Sequence, residues 1–311
     1  MKKILFLGLM MAASISLTMA DEVRLDSAFT NYYGGNWKLM DYYNYNAAGQ
    51  NVSIVTWDWN SSDRTWFRDK KDTLIYNADG SLAGKVTSHW YDPDGGKVIR
   101  KAPQSDAARW EISSGEYYTY NTNGQLLYTL MGEYDNTTQT MNLTDSLFNT
   151  YNADGRLSDV KWYSLSGSAL VYSNHSTYSY DDANRTVLIY DYRVSGAAEV
   201  LQYKIDQFFN TDGTIHEENF YSFDDPDWVP NGSNEYFYNE AGLLERLENS
   251  EWDSESEVYM GLYHTYYYYS TPTAIHQIMN HRGNSNKFFR NGQLYIQRGN
   301  EVFNATGVRV K

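Results

Sequence analysis

Eight tryptophans, Trp57, Trp59, Trp66, Trp90, Trp110, Trp162, Trp228 and Trp252, recur through the middle of a 311-residue chain, several of them beside an acid. Such rings can stack on the apolar face of a sugar, while neighbouring Asp and Asn side chains hydrogen-bond its hydroxyls. Trp57, Trp59, Trp90, Trp162, Trp228 and Trp252 are therefore the candidate ligand contacts, as stacking platforms for a glycan or a protein ligand. Aromatic rings also favour strands for packing reasons alone. The platform reading thus requires that these rings stand outside the sheet packing.

Other chemistry finds little support in the residue types. The six histidines, His89, His175, His216, His264, His276 and His281, include no HExxH pair, and His216-Glu217-Glu218 reads as a polar strand edge. Asp92-Pro93-Asp94-Gly95 resembles the start of a calcium loop but lacks the later acidic ligands, so it reads as a turn. There is no Gly-x-Ser-x-Gly elbow, and Gly34-Gly35 and Gly95-Gly96 precede no predicted helix. Zero Cys excludes a disulfide scaffold, a thiolate metal site and a cysteine nucleophile. No cofactor and no metal are expected. A glycoside hydrolase needs only two suitably spaced carboxylates, and 39 acidic residues single out no pair. A glycan-active hydrolase and a structural envelope or matrix component stand as alternatives to a non-catalytic binding or adhesion protein.

The elements that would position the tryptophans come from a repeat. Tyr45 to Gly49 (YNAAG), Tyr76 to Gly80 (YNADG), Tyr120 to Gly124 (YNTNG), Tyr151 to Gly155 (YNADG), Tyr180 to Asn184 (YDDAN), Phe209 to Gly213 (FNTDG) and Tyr238 to Gly242 (YNEAG) are copies of one segment. Their last residues lie 31, 44, 31, 29, 29 and 29 apart, and the long interval holds the additional turn at Asp92 to Gly96. Asn or Asp initiates a hairpin turn and Gly supplies the left-handed backbone, a role Asn184 fills in the fifth copy. Before four of the seven turns aromatics alternate, as in Tyr43 and Tyr45 or Tyr178 and Tyr180, so one sheet face is ring-rich. Aromatic-plus-acid clusters such as Trp57-Asp58-Trp59, Tyr190-Asp191 and Trp252-Asp253 read as the ends of outgoing strands. The period leaves roughly ten residues per strand, and seven copies give about fourteen antiparallel strands. So wide a sheet should twist or curl, giving an all-β antiparallel β-hairpin repeat array in the form of a twisted or curled meander.

The chain carries 25 Lys plus Arg against 39 Asp plus Glu, a net charge of -14, which excludes a nucleic-acid partner. Residues 1–20 read as a signal peptide: Lys2 and Lys3, the apolar run Ile4 to Leu17, then Thr18-Met19-Ala20 with cleavage near Ala20. No membrane span is expected in the mature chain. The repeat domain is assigned to 21–269, a linker to 270–285 and a small β-rich module of three strands to 286–311.

The tandem Tyr-Asn/Asp-x-x-Gly-x-Leu units resemble the tyrosine-aspartate (YD) repeats of large extracellular bacterial shell and adhesion proteins. They look still more like hairpin-repeat proteins secreted by Bacteroidetes. The tail, with Asn291-Gly292-Gln293-Leu294-Tyr295-Ile296 and Phe303-Asn304-Ala305-Thr306-Gly307-Val308-Arg309-Val310, resembles the carboxyl-terminal sorting region of type IX secretion cargo. The resemblance implies a secreted or cell-surface protein that engages the secretion machinery through this tail. A polysaccharide or a host surface protein is the expected partner.

Overall fold

The computed structural model describes residues 23–33, 37–62, 64–91, 109–196 and 198–270, and the backbone of 285–290, 293–298, 301–304 and 309–310. The expected signal peptide, the turn at 92–96 and the tail turns at 291–292 and 305–307 lie outside these residues. Sixteen strands carry the main body: β1 (Arg24–Tyr32), β2 (Lys38–Tyr45), β3 (Asn51–Asn60), β4 (Thr65–Tyr76), β5 (Leu82–Tyr91), β6 (Arg109–Tyr120), β7 (Leu126–Asp135) and β8 (Thr140–Tyr151), then β9 (Leu157–Ser166), β10 (Ala169–Asp181), β11 (Thr186–Ser195), β12 (Ala198–Phe209), β13 (Ile215–Asp224), β14 (Asp227–Tyr238), β15 (Leu244–Asp253) and β16 (Val258–Ser270). Each pairs antiparallel with its sequence neighbours, and β16 returns to β1, so the array is a closed barrel.

The expected hairpin repeats are present, with two strands more than the turn count gives. The reason lies in β16 and β1, which together form an eighth hairpin with no turn of its own. Tyr269 on β16 donates its hydroxyl to Leu244 O at 2.9 Å, as Tyr238 donates to Ile215 O and Tyr151 to Leu126 O, both at 2.9 Å. On β1, Leu25 O accepts from Tyr45, the role Leu126 plays for Tyr151. One terminus thus supplies an incoming strand and the other an outgoing strand. Their seam holds the Thr30–Thr265 hydroxyl pair at 2.8 Å, the Tyr33 N–H donating to Leu262 O at 2.9 Å, and the Tyr32 and Tyr263 rings 4.9 Å apart.

The turns explain why these segments reverse. In the fourth copy, Asn152 Oδ1 accepts from the backbone N–H of Asp154 and Arg156, while the Gly155 N–H donates to Asn152 O at 3.0 Å. Gly155 sits at φ 77, where a side chain would be strained. The fifth copy departs from expectation: Arg185, not Asn184, takes the left-handed backbone at φ 53. There Asp181 Oδ1 accepts from both Ala183 and Asn184, and the amide of Asn184 donates to Asp181 Oδ2. Asn184 is engaged as a turn donor, so the reversal falls one residue later. Tyr190-Asp191 likewise lies inside β11 instead of ending it.

Curvature comes from bulges that the motif does not reveal. One extra residue interrupts every incoming strand after β2: Asp69, Ser113, Thr144, Ser173, Gln202, Asn231 and Leu262. The first six lie eleven residues before the turn Gly or its Asn184 equivalent. Each such insertion bends and twists a strand, and repeated around the sheet they curl it. At one of them a glycine is obligatory, because a Cβ on Gly132 would stand 2.6 Å from Asn142 O.

The registers divide every strand between two faces. On the tyrosine face stand Tyr43, Tyr118, Tyr178, Tyr236 and Tyr267 with all the buried apolar residues: Ala28, Leu147, Leu157, Val160, Val187, Ile189 and Leu247. The core cluster is Leu147, Leu157 and Val160, packed by Met131, Tyr151, Trp162 and Tyr178. Burying each such aliphatic side chain contributes roughly 1.5–3 kcal/mol. The unit Leu25–Tyr269 contains this core. A separate antiparallel sheet has four strands where three were expected: β17 (Ser285–Arg290), β18 (Gln293–Arg298), β19 (Glu301–Asn304) and β20 (Arg309–Val310).

Candidate functional site

The face opposite the tyrosines gathers most of the tryptophans. Registers align Phe29, Met40, Trp57 and Arg68 across β1 to β4, and they pair Trp59 with Trp66 and Trp90 with Trp110. The last two are edge-on contacts at 5.3 and 5.1 Å, and Phe29 reaches Trp66 at 6.3 Å. Arg68 joins the groups, its guanidinium 5.4 Å from the Trp57 ring centre and 4.7 Å from that of Trp90, while Lys38 Nζ lies 5.6 Å from Trp59. These rings are half-buried, which leaves part of each in contact with water. Edge-to-face packing and cation stacking hold them in fixed orientations, so a ligand would meet a rigid surface.

The other candidates are placed differently. Trp228 shares the tryptophan face with Phe223 and Tyr190, at 5.0 and 5.8 Å, under the Lys204 ammonium. Trp252 packs edge-on against Tyr259 at 4.9 Å. Trp162 belongs to the tyrosine face: its indole N–H donates to Asp145 Oδ1 at 3.2 Å and its ring packs on the core cluster. The structure therefore brings Trp57, Trp59 and Trp90 into one patch with Trp66, Trp110, Arg68 and Lys38. Trp228 and Trp252 stand apart from it, and Trp162 lies on the opposite face, on β9. The part of Arg68 was not legible in the sequence, because a bulge at Asp69 determines which face it joins.

A second cluster on the same face was also hidden. His175 Nε2 meets Asp159 Oδ2, and its Nδ1 lies 3.4 Å from Glu199 Oε2. The Tyr172 hydroxyl donates to Glu199 Oε1 at 2.5 Å. That bond, and secondarily His175, hold the Glu199 carboxyl below its ordinary range. With only 12% of the His175 side chain exposed and carboxylates at both ring nitrogens, the imidazole staples β9, β10 and β12 together. On the other side of the sheet, a groove of about 460 Å³ opens at the Ser113 bulge, with His89, Glu111, Glu133 and Tyr134 in its lining. Among the described residues, no group of three or more His, Asp and Glu is arranged to hold a metal ion.

Both faces of the described strands carry charged residues. The tryptophan face carries Lys161, Lys204, Asp206, Glu217, Glu235 and Glu248, and the tyrosine face carries Asp41, Lys70, Asp72, Lys85 and Glu116. No helix among the described residues is long and apolar enough to cross a membrane.

Comparison with known proteins gives likeness of chain course alone. No protein family and no curated protein matches the chain. Among solved structures, a porin-like protein from Bacteroides uniformis is 10% identical, with 79% of this chain and 97% of that one covered and a TM-score of 0.46. A protein of unknown function from Bacteroides fragilis is 10% identical, covers 41% of this chain and 93% of its own length, and has a TM-score of 0.33. The TcdB2–TccC3 complex is 12% identical over 88% of this chain and 18% of that one, with a TM-score of 0.25.

Proposed function

We propose that this protein is an exported or surface-displayed binding module, without catalysis, whose ligand is a glycan. The observation that carries the reading is the patch of Trp57, Trp59, Trp66, Trp90 and Trp110, fixed by Arg68 on the face that does not pack the core. Half-buried rings of set orientation suit the stacking of sugar faces, and holding them rigid lowers the ordering cost of binding. Export rests on the Lys2-Lys3 start, the apolar run Ile4 to Leu17 and the tail that resembles a sorting region. Charge on both faces supports a body that works in water instead of a pore.

The purified chain, incubated with a panel of insoluble polysaccharides and mucin, is expected to be retained with no sugar released into the supernatant. Replacing Trp59 and Trp90 by Ala should abolish retention while the barrel still melts cooperatively. Sugar release would make the protein a hydrolase. The absence of both retention and release would overturn the glycan reading.

A further inference from the structure

Charge divides the tryptophan face in a way the hairpin repeat does not require. In β1 to β6 the registers put Lys38, Arg68 and Lys71 on this face. Every acid paired in the registers of these strands, Asp41, Asp58, Asp72, Glu111 and Glu116, is on the tyrosine face, and alternation along β1 puts Asp26 there too. The bulge residue Asp69 turns the same way, its Oδ1 lying 3.9 Å from His89 Nδ1 on the tyrosine face. From β9 to β16 the balance reverses, with Asp159, Glu199, Asp206, Glu217, Glu235 and Glu248 against Lys161, Lys204 and Arg246. In a chain of net charge -14, the described strands of one sector are thus free of acid on one face, and that sector holds the tryptophan patch.

We propose that this sector binds an anionic glycan, one bearing carboxylate or sulfate groups, in preference to a neutral one; the proposal rests on the glycan-binding reading above. Trp59, Trp66, Trp90 and Trp110 offer the ring surfaces, and the cations sit among them instead of at a distant rim. Arg68 is the specificity-determining residue. Stacking between Trp57 and Trp90 orients its planar guanidinium, whose fork of N–H donors matches the paired oxygens of a carboxylate or sulfate. Lys38 and Lys71 extend the positive field along the same face. A local positive field on an acidic protein concentrates an anionic polymer there and keeps it from the rest of the surface.

The test measures binding of the full chain to three soluble probes: polygalacturonate, chondroitin sulfate and a neutral glucan. At least one anionic probe should bind about tenfold or more tightly than the glucan, and that binding should weaken as salt rises from about 0.05 M to about 0.5 M. Replacing Arg68 and Lys71 by Gln should cost about tenfold in affinity for that probe, with the barrel still melting in one cooperative transition. The preference between the first two probes identifies the anionic group. Equal, salt-insensitive binding of the glucan would overturn the anionic assignment and leave the glycan reading standing. Failure of the folded protein to bind any of the three would overturn both.

Discussion

Strands β1 to β6 and β12 to β16 are built on one plan and present opposite surfaces. Both use tyrosine hydroxyls to tie successive hairpins, as Tyr76 to Asn51 O and Tyr238 to Ile215 O do, at 2.7 and 2.9 Å. Behind that shared lacing, the first region displays Arg68 among tryptophans. The second runs Glu217, Glu235 and Glu248 side by side across three strands. A row of like charges opposes strand pairing, and Arg246, 2.8 Å from Glu248, and the Asn219 amide, which donates to Glu217 Oε1 at 2.7 Å, relieve it. The difference teaches that the repeat fixes one face and leaves the other free: the tyrosine face is set by folding, and the tryptophan face changes its charge from one region to the other.

The largest test of that division acts on what the regions share. Burial pushes the hydroxyls of Tyr43, Tyr118, Tyr178, Tyr236 and Tyr267 well above the ordinary tyrosine value, and those of Tyr32 and Tyr269 up to about 12. The unfolded chain ionises first, near 10.0, so stability is full below that pH and falls as pH rises through 10.0 to 12 and beyond. Both regions should unfold together in that window, with the buried tyrosines ionising only as β circular dichroism is lost. Ionisation of Tyr43, Tyr118, Tyr178, Tyr236 and Tyr267 near 10.0 with the barrel intact would break the idea of a common buried face.

Next in size is a change that gives the first region the charge of the second. Lys71→Glu introduces the acid that β1 to β6 lack on this face, and affinity for an anionic probe should fall about tenfold with stability within about 0.5 kcal/mol of the parent. Isothermal calorimetry beside thermal melts reads both quantities. A smaller effect is expected from the lacing. Tyr76→Phe and Tyr238→Phe each remove one hydroxyl bond to a backbone carbonyl, and each should cost about 1 kcal/mol in urea unfolding. Equal costs would sharpen the view that the lacing is indifferent to the surface it supports. Smallest of all, Glu235→Gln should raise stability by a few tenths of a kcal/mol by breaking the acidic row, and leave glycan binding unchanged.

The hairpin repeat was legible because its signals are local. Asn152 caps its own turn, Gly155 needs its own backbone conformation, and Tyr alternates with a period of two along a single strand. Ring closure was not legible, because β16 and β1 form a hairpin from segments at opposite ends of the repeat region, with no turn sequence between them. The site was legible in residue type and only partly in grouping. Trp57, Trp59 and Trp90 do assemble, whereas Trp162 faces the core, where Asp145 takes its N–H. A face is assigned by counting residues along a strand, and one bulge inverts the count. The extra residues at Asp69 and Thr144 have no fixed type, so the sequence does not mark them.

The most direct test is an NMR titration of the chain, labelled at its indole nitrogens, with an oligogalacturonide. The account predicts that the signals of Trp57, Trp59, Trp66, Trp90 and Trp110 shift saturably and need several times more ligand to do so in the Arg68→Gln variant, while Trp162 stays fixed. A shift confined to Trp228 and Trp252, or one that Trp162 follows in step with the rest, would contradict it.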